Sequence, residues 1–265
     1  MIPEISLPSN PDRRICLREA TVKDVIDFTD IDQGHEEQVT TLFLNRMQDH
    51  QDRATQLDAK MWTADDRRAI LFWYWIHTAK DPSIALSYEC DFCGETHSLL
   101  QDMRILGEGY RNLDGKPERE LRNGMLVRPL TGEDMEFLER GRLSLGVAAE
   151  EHGEKSGAYR KKEAQIRLLR LLLCLHSKEE PETLSRRVDA TEKKILLMTT
   201  TEFGEMAEQV GDCLADMQHG LDTTMDELGT IYLFTPPHKC PNDEQKEAET
   251  RLRVPFRDID YIPIF

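Results

Sequence analysis

Met125-Leu126-Val127-Arg128-Pro129-Leu130-Thr131-Gly132-Glu133-Asp134 is the stretch on which the fold turns. It reads as a short strand running into a helix, because Thr131 followed three residues later by Asp134 has the form of a helix cap with its acidic partner. The same order stands earlier in the chain. Ile15-Cys16-Leu17-Arg18-Glu19-Ala20-Thr21-Val22-Lys23-Asp24 aligns with it without a gap, matching Arg18 to Arg128, Thr21 to Thr131 and Asp24 to Asp134. Two more landmarks follow in each half. Ala64-Asp65-Asp66-Arg67-Arg68-Ala69-Ile70-Leu71 has a counterpart in Ala190-Thr191-Glu192-Lys193-Lys194-Ile195-Leu196-Leu197, and Cys240-Pro241 follows the second copy as Cys90 follows the first. Three landmarks in one order predict an ancient tandem duplication; the competing reading is that capped helices look alike.

Working outward, the pattern predicts a helix-rich α+β protein of two related units, each with a short strand, helices and a zinc-ribbon-like knuckle. Residues 1–12, with three prolines, read as an extended arm. The first unit spans 13–106, a turn-rich linker 107–120, the second unit 121–252 and an extended tail 253–265. Helical pattern covers roughly 34–50 and 155–177, and a helix capped at Thr63 runs through Ile70-Leu71-Phe72-Trp73-Tyr74-Trp75-Ile76. That last run is apolar nearly all round, so it is a central helix or a contact surface. Apolar residues at 254, 256, 259, 262 and 264 make the tail a segment that docks on its own fold or on a partner.

The 265 residues carry 34 Lys and Arg against 50 Asp and Glu, a formal net charge of −16, which argues against a protein that coats DNA. Arg160-Lys161-Lys162, Arg167, Arg170, Arg186 and Arg187 form the one basic stripe on which a nucleic-acid-binding regulator could rest, and acids surround it. No basic start, apolar leader or membrane-length run is present, so the chain is expected in the cytoplasm and off the membrane.

Of the six cysteines, Cys174 and Cys213 sit in helical patterns and read as small apolar core residues. Cys90-Asp91-Phe92-Cys93-Gly94 is different. Two thiolates offered from a tight turn are half of a tetrahedral zinc site. His97, four residues on, is one further candidate. The repeat points to His238-Lys239-Cys240-Pro241-Asn242-Asp243, where Cys240 aligns with Cys90; His238 ranks above Asp243, because imidazole suits zinc better than carboxylate does. The candidate ligands are therefore Cys90, Cys93, Cys240 and His238, around one structural zinc. A decayed pair with free thiols and a redox pair are the alternatives, the latter disfavoured because Gly94–Leu100 alternates like a return strand rather than opening a helix. No phosphate loop, His-Glu-x-x-His or Gly-x-Ser-x-Gly motif occurs, so no catalytic residue is assigned and no enzyme is expected. Asp30-Ile31-Asp32-Gln33-Gly34 misses the calcium-loop register and reads as a polar turn.

Leu7-Pro8-Ser9 at the start, Arg128-Pro129-Leu130-Thr131-Gly132-Glu133-Asp134, and Tyr88-x-Cys90-x-x-Cys93-Gly94-x-x-His97 at mid-chain together resemble the small baseplate hub and tail assembly proteins of contractile-tailed bacteriophages. The apparent duplication and the incomplete second knuckle depart from that family's pattern. The resemblance implies a non-enzymatic structural component of the baseplate, found in the host cytoplasm during assembly and then in the virion tail, with other tail proteins as partners. The alternative it implies is a transient assembly chaperone absent from the mature particle.

Overall fold

The computed structural model describes residues 1–29, 35–49, 56–107, 110–177, 183–226, 230–242 and 249–263. Mixed helix and sheet, at 48% and 21%, bear out an α+β protein rich in helix. The chain opens on a hairpin, β1 (Ile5–Leu7) with β2 (Asn10–Ile15), in which Ile5 faces Ile15. The extended arm expected over 1–12 is therefore corrected: Ile2, Ile5 and Leu7 are buried, Pro8 falls in the connecting turn, and Pro11 sits in a two-stranded ribbon, where an edge tolerates its missing N–H.

Helices α1 (Val22–Thr29) and α2 (Glu36–Met47) follow, then a 3-10 turn (Ala59–Met61) and α3 (Ala64–Thr78). Thr63 caps α3, its hydroxyl accepting from the Asp66 amide at 3.0 Å. Ile70, Leu71, Phe72 and Tyr74 of α3 are buried, each worth roughly 1.5–3 kcal/mol if fully transferred from water. The aromatic run is thus a central helix. From it rises a long ribbon of β3 (Ser83–Glu89) and β4 (Thr96–Asp102), paired in unbroken register from Ser83↔Asp102 to Glu89↔Thr96. A short helix α4 (Arg104–Gly107) returns the chain to the body.

The second half begins with β5 (Arg119–Glu120) and β6 (Leu126–Val127), continues through α5 (Gly132–His152) and α6 (Gly157–Cys174), and closes a three-stranded sheet β5-β6-β7 with β7 (Leu175–His176). After α7 (Leu184–Ile195) and α8 (Thr200–Asp216) come β8 (Thr223–Met225), β9 (Ile231–Phe234), β10 (His238–Lys239), β11 (Glu249–Thr250), β12 (Arg253–Phe256) and a 3-10 turn (Asp258–Tyr261). The tail docks on its own fold: β12 pairs with β9, and Tyr261 stacks on Phe256 at 4.3 Å and meets Trp75 of α3 edge-on at 5.1 Å. Buried residues of both halves belong to one apolar cluster.

Two matching clasps tie strand to helix in the two halves. Arg18 Nη1 and Nη2 donate to Asp24 at 2.7 and 3.2 Å, and Arg128 Nη1 and Nη2 donate to Asp134 at the same two distances. The Thr21 and Thr131 amides each donate to the same aspartate oxygen at 2.8 Å. A distant arginine completes each, Arg46 Nε at 2.6 Å from Asp24 and Arg187 Nη2 at 2.6 Å from Asp134. Each strand then meets the end of the second following helix, Arg18 N donating to Met47 O at 2.9 Å and Arg128 N to Cys174 O at 3.0 Å.

Two expectations fail. Ala190–Leu197 does not open a helix as Ala64 does: Ala190 lies in the second half of α7, and the capped start that follows is Thr199, whose hydroxyl accepts from Glu202 N. The 107–120 segment is not a bare linker. Leu113 is buried, Tyr110 donates to Ala69 O at 3.0 Å, and Arg111 and Gly220 exchange main-chain hydrogen bonds.

Candidate metal centre

The β3–β4 register does most of the site-building. Seven paired residues carry the ribbon away from α3, and Cys90-Asp91-Phe92-Cys93-Gly94-Glu95 forms its tip. Gly94 holds φ +71, a left-handed conformation that a side chain resists, and its amide donates to Cys90 O at 2.8 Å while Cys90 N donates to Glu95 O at 2.9 Å. The turn aims the Phe92 and Cys93 amides at the Cys90 sulfur, which pulls the Cys90 thiol below its ordinary value. On the return strand His97 stands opposite Tyr88, their rings 5.9 Å apart, and places Nε2 at 3.1 Å from Cys93 Sγ.

The fourth donor comes from the far end of the chain. Cys240, buried at the turn after β10, brings its sulfur to this group, so that the donor atoms of Cys90, Cys93, His97 and Cys240 all lie within 4.8 Å of one another. Asn242, two residues on, ties the turns together by donating to Glu95 Oε2 at 2.6 Å, with Cys93 Sγ at 3.8 Å. Tetrahedral zinc with Zn–S near 2.3 Å needs donors about 3.8 Å apart, so this group fits the ion with small side-chain adjustments. Charge points the same way. The Glu95 amide lowers the Cys93 thiol, but desolvation and the neighbouring Cys240 and Cys90 thiols outweigh it and leave Cys93 raised: three sulfurs this close resist joint ionisation without a cation among them.

Of the four expected ligands, Cys90, Cys93 and Cys240 are brought together and His238 is not. The fourth place is taken by His97. His238 lies in β10 opposite Thr250, its Nε2 buried without a hydrogen-bond partner and its ring held to the neutral form by burial. Strand alternation alone would put His238 and Cys240, two residues apart, on one face; position along the chain separates them, because His238 is paired inside β10 opposite Thr250 whereas Cys240 stands one residue past the strand, at the turn that meets the ribbon tip. Asp243 lies outside the described residues, as does the 30–34 segment.

The basic stripe does not form a continuous face. Arg187 turns into the Asp134 clasp, Arg170 is half-buried and donates to Asp226 O at 2.6 Å, and Arg167 pairs with Glu163 at 3.0 Å. No helix among the described residues is long and apolar enough to cross a membrane. Comparisons with protein families, with curated proteins and with solved structures return no match for this chain.

Proposed function

We propose that this chain is a non-enzymatic structural protein that works through protein contacts, with one structural zinc pinning the ribbon tip to the C-terminal turn, and that it serves in the tail baseplate of a contractile phage. The observation that carries the zinc is the closed set of four protein donors, Cys90, Cys93, His97 and Cys240. Structural zinc sites take all four ligands from the protein, whereas catalytic ones keep a position for water. The ion holds a two-stranded ribbon that has no third strand to brace it among the described residues, and metal–ligand free energy of about 10–16 kcal/mol in small zinc modules is ample for that.

The matching clasps support descent of the two halves from one ancestor, since atom-for-atom agreement at Arg18–Asp24 and Arg128–Asp134 goes beyond what two capped helices share by chance. The baseplate role rests on the Leu7-Pro8-Ser9, Arg128–Asp134 and knuckle motifs. Each has a place in the fold: Ser9 N donates to Asp66 Oδ1 at 2.8 Å, fixing the N-terminal turn to the first turn of α3.

Elemental analysis of the purified protein tests the zinc. Equimolar zinc is expected in the wild type, a sharp loss in Cys240→Ser and His97→Ala, and none in His238→Ala. Metal-free wild type would end the zinc, and loss in His238→Ala with retention in His97→Ala would restore the other ligand set. Mass spectrometry of purified particles tests the role: absence from the virion would sink the structural reading in favour of the assembly chaperone.

A further inference from the structure

A cavity of about 370 Å³ lies between the start of α3, the end of α6, α8 and β8, far in sequence from the zinc ligands. Its wall is about half apolar, with Leu130, Leu214 and Met225, and half polar, with Gln218, Thr223, Thr224 and three charged side chains, Arg68, Arg170 and Asp65. Arg68 is buried and gives Nη2 to Asp65 Oδ1 at 2.7 Å, so these two charges cancel; its Nε is buried with no hydrogen-bond partner. Arg170 is different. Its Nη1 donates to the main-chain carbonyl of Asp226 at 2.6 Å, and no carboxylate among the described residues pairs with it. Two guanidiniums against one carboxylate leave the lining one positive charge, in a protein whose formal net charge is −16.

A partly exposed guanidinium whose hydrogen bond goes to a carbonyl keeps further N–H donors for an anion that enters the cavity. One charge calls for one anion, and the apolar part of the wall offers a surface for a short hydrocarbon body. A volume in the range of small-molecule pockets sets the size. We propose that this cavity binds a small organic monocarboxylate, its carboxylate paired with Arg170 and its apolar body against Leu130, Leu214 and Met225. This is independent of the zinc ligands, and it shares only Pro129 and Leu130 of the lining with the Arg128–Asp134 motif.

The test uses the full-length protein with methyl-labelled methionine, read by NMR at Met217 and Met225, which both line the cavity. Octanoate is the probe. It should shift these two methyl signals saturably, with octanamide, of the same body without the charge, and inorganic phosphate, a charge without the body, each at least about tenfold weaker, as loss of a charge-assisted hydrogen bond predicts. Arg170→Met, which keeps the stem, should weaken octanoate by a similar factor, and Arg170→Lys should restore part of it. Met225→Trp, which fills the cavity and leaves the arginine in place, should abolish binding and keeps the test decisive if Arg170→Met fails to fold. No saturable shift with octanoate, equal binding of octanamide, or unchanged affinity in the Met225→Trp protein would each overturn the proposal.

Discussion

Replacing Asp134 by Asn alters one oxygen and should cost more than almost any other isosteric change in the chain. The Asp134 carboxylate is buried and accepts from Arg128 at 2.7 and 3.2 Å, Arg187 at 2.6 Å, the Thr131 amide at 2.8 Å and the Thr131 hydroxyl at 2.9 Å. Asn removes the charge and sets an NH₂ against these donors, taking the Asp134 carboxylate away from two arginines that are 18% and 11% exposed. Breaking a buried pair from one side costs about 3–5 kcal/mol. Asp24 supplies an internal control with the same five contacts, but its arginines, Arg18 and Arg46, are 33% and 37% exposed. Water screens them, so Asp24→Asn should cost about half as much, roughly 1.5–2.5 kcal/mol. For a chain of this size each kcal/mol moves the melting temperature by about 2–4 °C. Urea unfolding at neutral pH, with unchanged slopes, gives both values. A cost for Asp134→Asn under about 1 kcal/mol, or one no larger than that of Asp24→Asn, would refute burial as the source of the difference.

Burial pushes the Glu37 carboxyl up to about 7 despite Arg67 at 3.3 Å, so the fold favours its neutral form: its contribution is present below the ordinary Glu range and is lost as pH rises through 7. The stability gap between wild type and Glu37→Gln should therefore shift in favour of the variant between about pH 5 and 8, and a flat difference would remove Glu37 as the titrating group. Asp24 has the opposite sign. Arg18 first, then the Thr21 and Arg46 hydrogen bonds, hold it far below the usual range, so its stabilisation is present at neutral pH and fades as pH falls below about 4; Asp24→Asn should flatten that acid limb. Tyr261→Ala removes a buried ring stacked on Phe256 and set against Trp75, with an expected loss of about 3–5 kcal/mol in chemical denaturation. Gly132→Ala would place its Cβ 2.9 Å from the Ala59 carbonyl and onto the Arg67 guanidinium, where the buried side chain has no room to yield; a loss of about 1–3 kcal/mol is expected, and a neutral result would mean the two halves give way at this joint.

What the sequence made legible was local. Arg-x-x-Thr-x-x-Asp spacing specifies strand, cap and ion pair within one short stretch, and both clasps form as that spacing requires. Their third members, Arg46 and Arg187, were not legible, because each arrives from a helix with no spacing signal of its own. The knuckle pair could be read from its glycine turn. The repeat led to Cys240, which the fold brings to that pair, and to His238, which it does not. His97 could have been ranked first by counting register: a six-residue tip between Glu89 and Thr96 sets His97 beside Tyr88 on the half-buried face of the ribbon. The N-terminal hairpin was hidden by its prolines, and the packing of 107–120 by the rarity of its apolar residues, two of which, Tyr110 and Leu113, do the anchoring.

The early helix α2 waits for partners that are made much later. Glu36 of α2 pairs with Arg257 at 2.7 Å, and Thr40 donates to Asp258 at 2.8 Å, partners more than two hundred positions away. At about 5–20 residues per second, α2 is made roughly 10–45 s before its cap against the C-terminal turn exists. Until then its buried face, with Phe43 and Leu44, has only a partial cover, so the nascent chain passes through a long interval of exposed apolar surface. Holding by a chaperone during synthesis, and sensitivity to C-terminal truncation far beyond the few residues removed, follow from that single long-range closure.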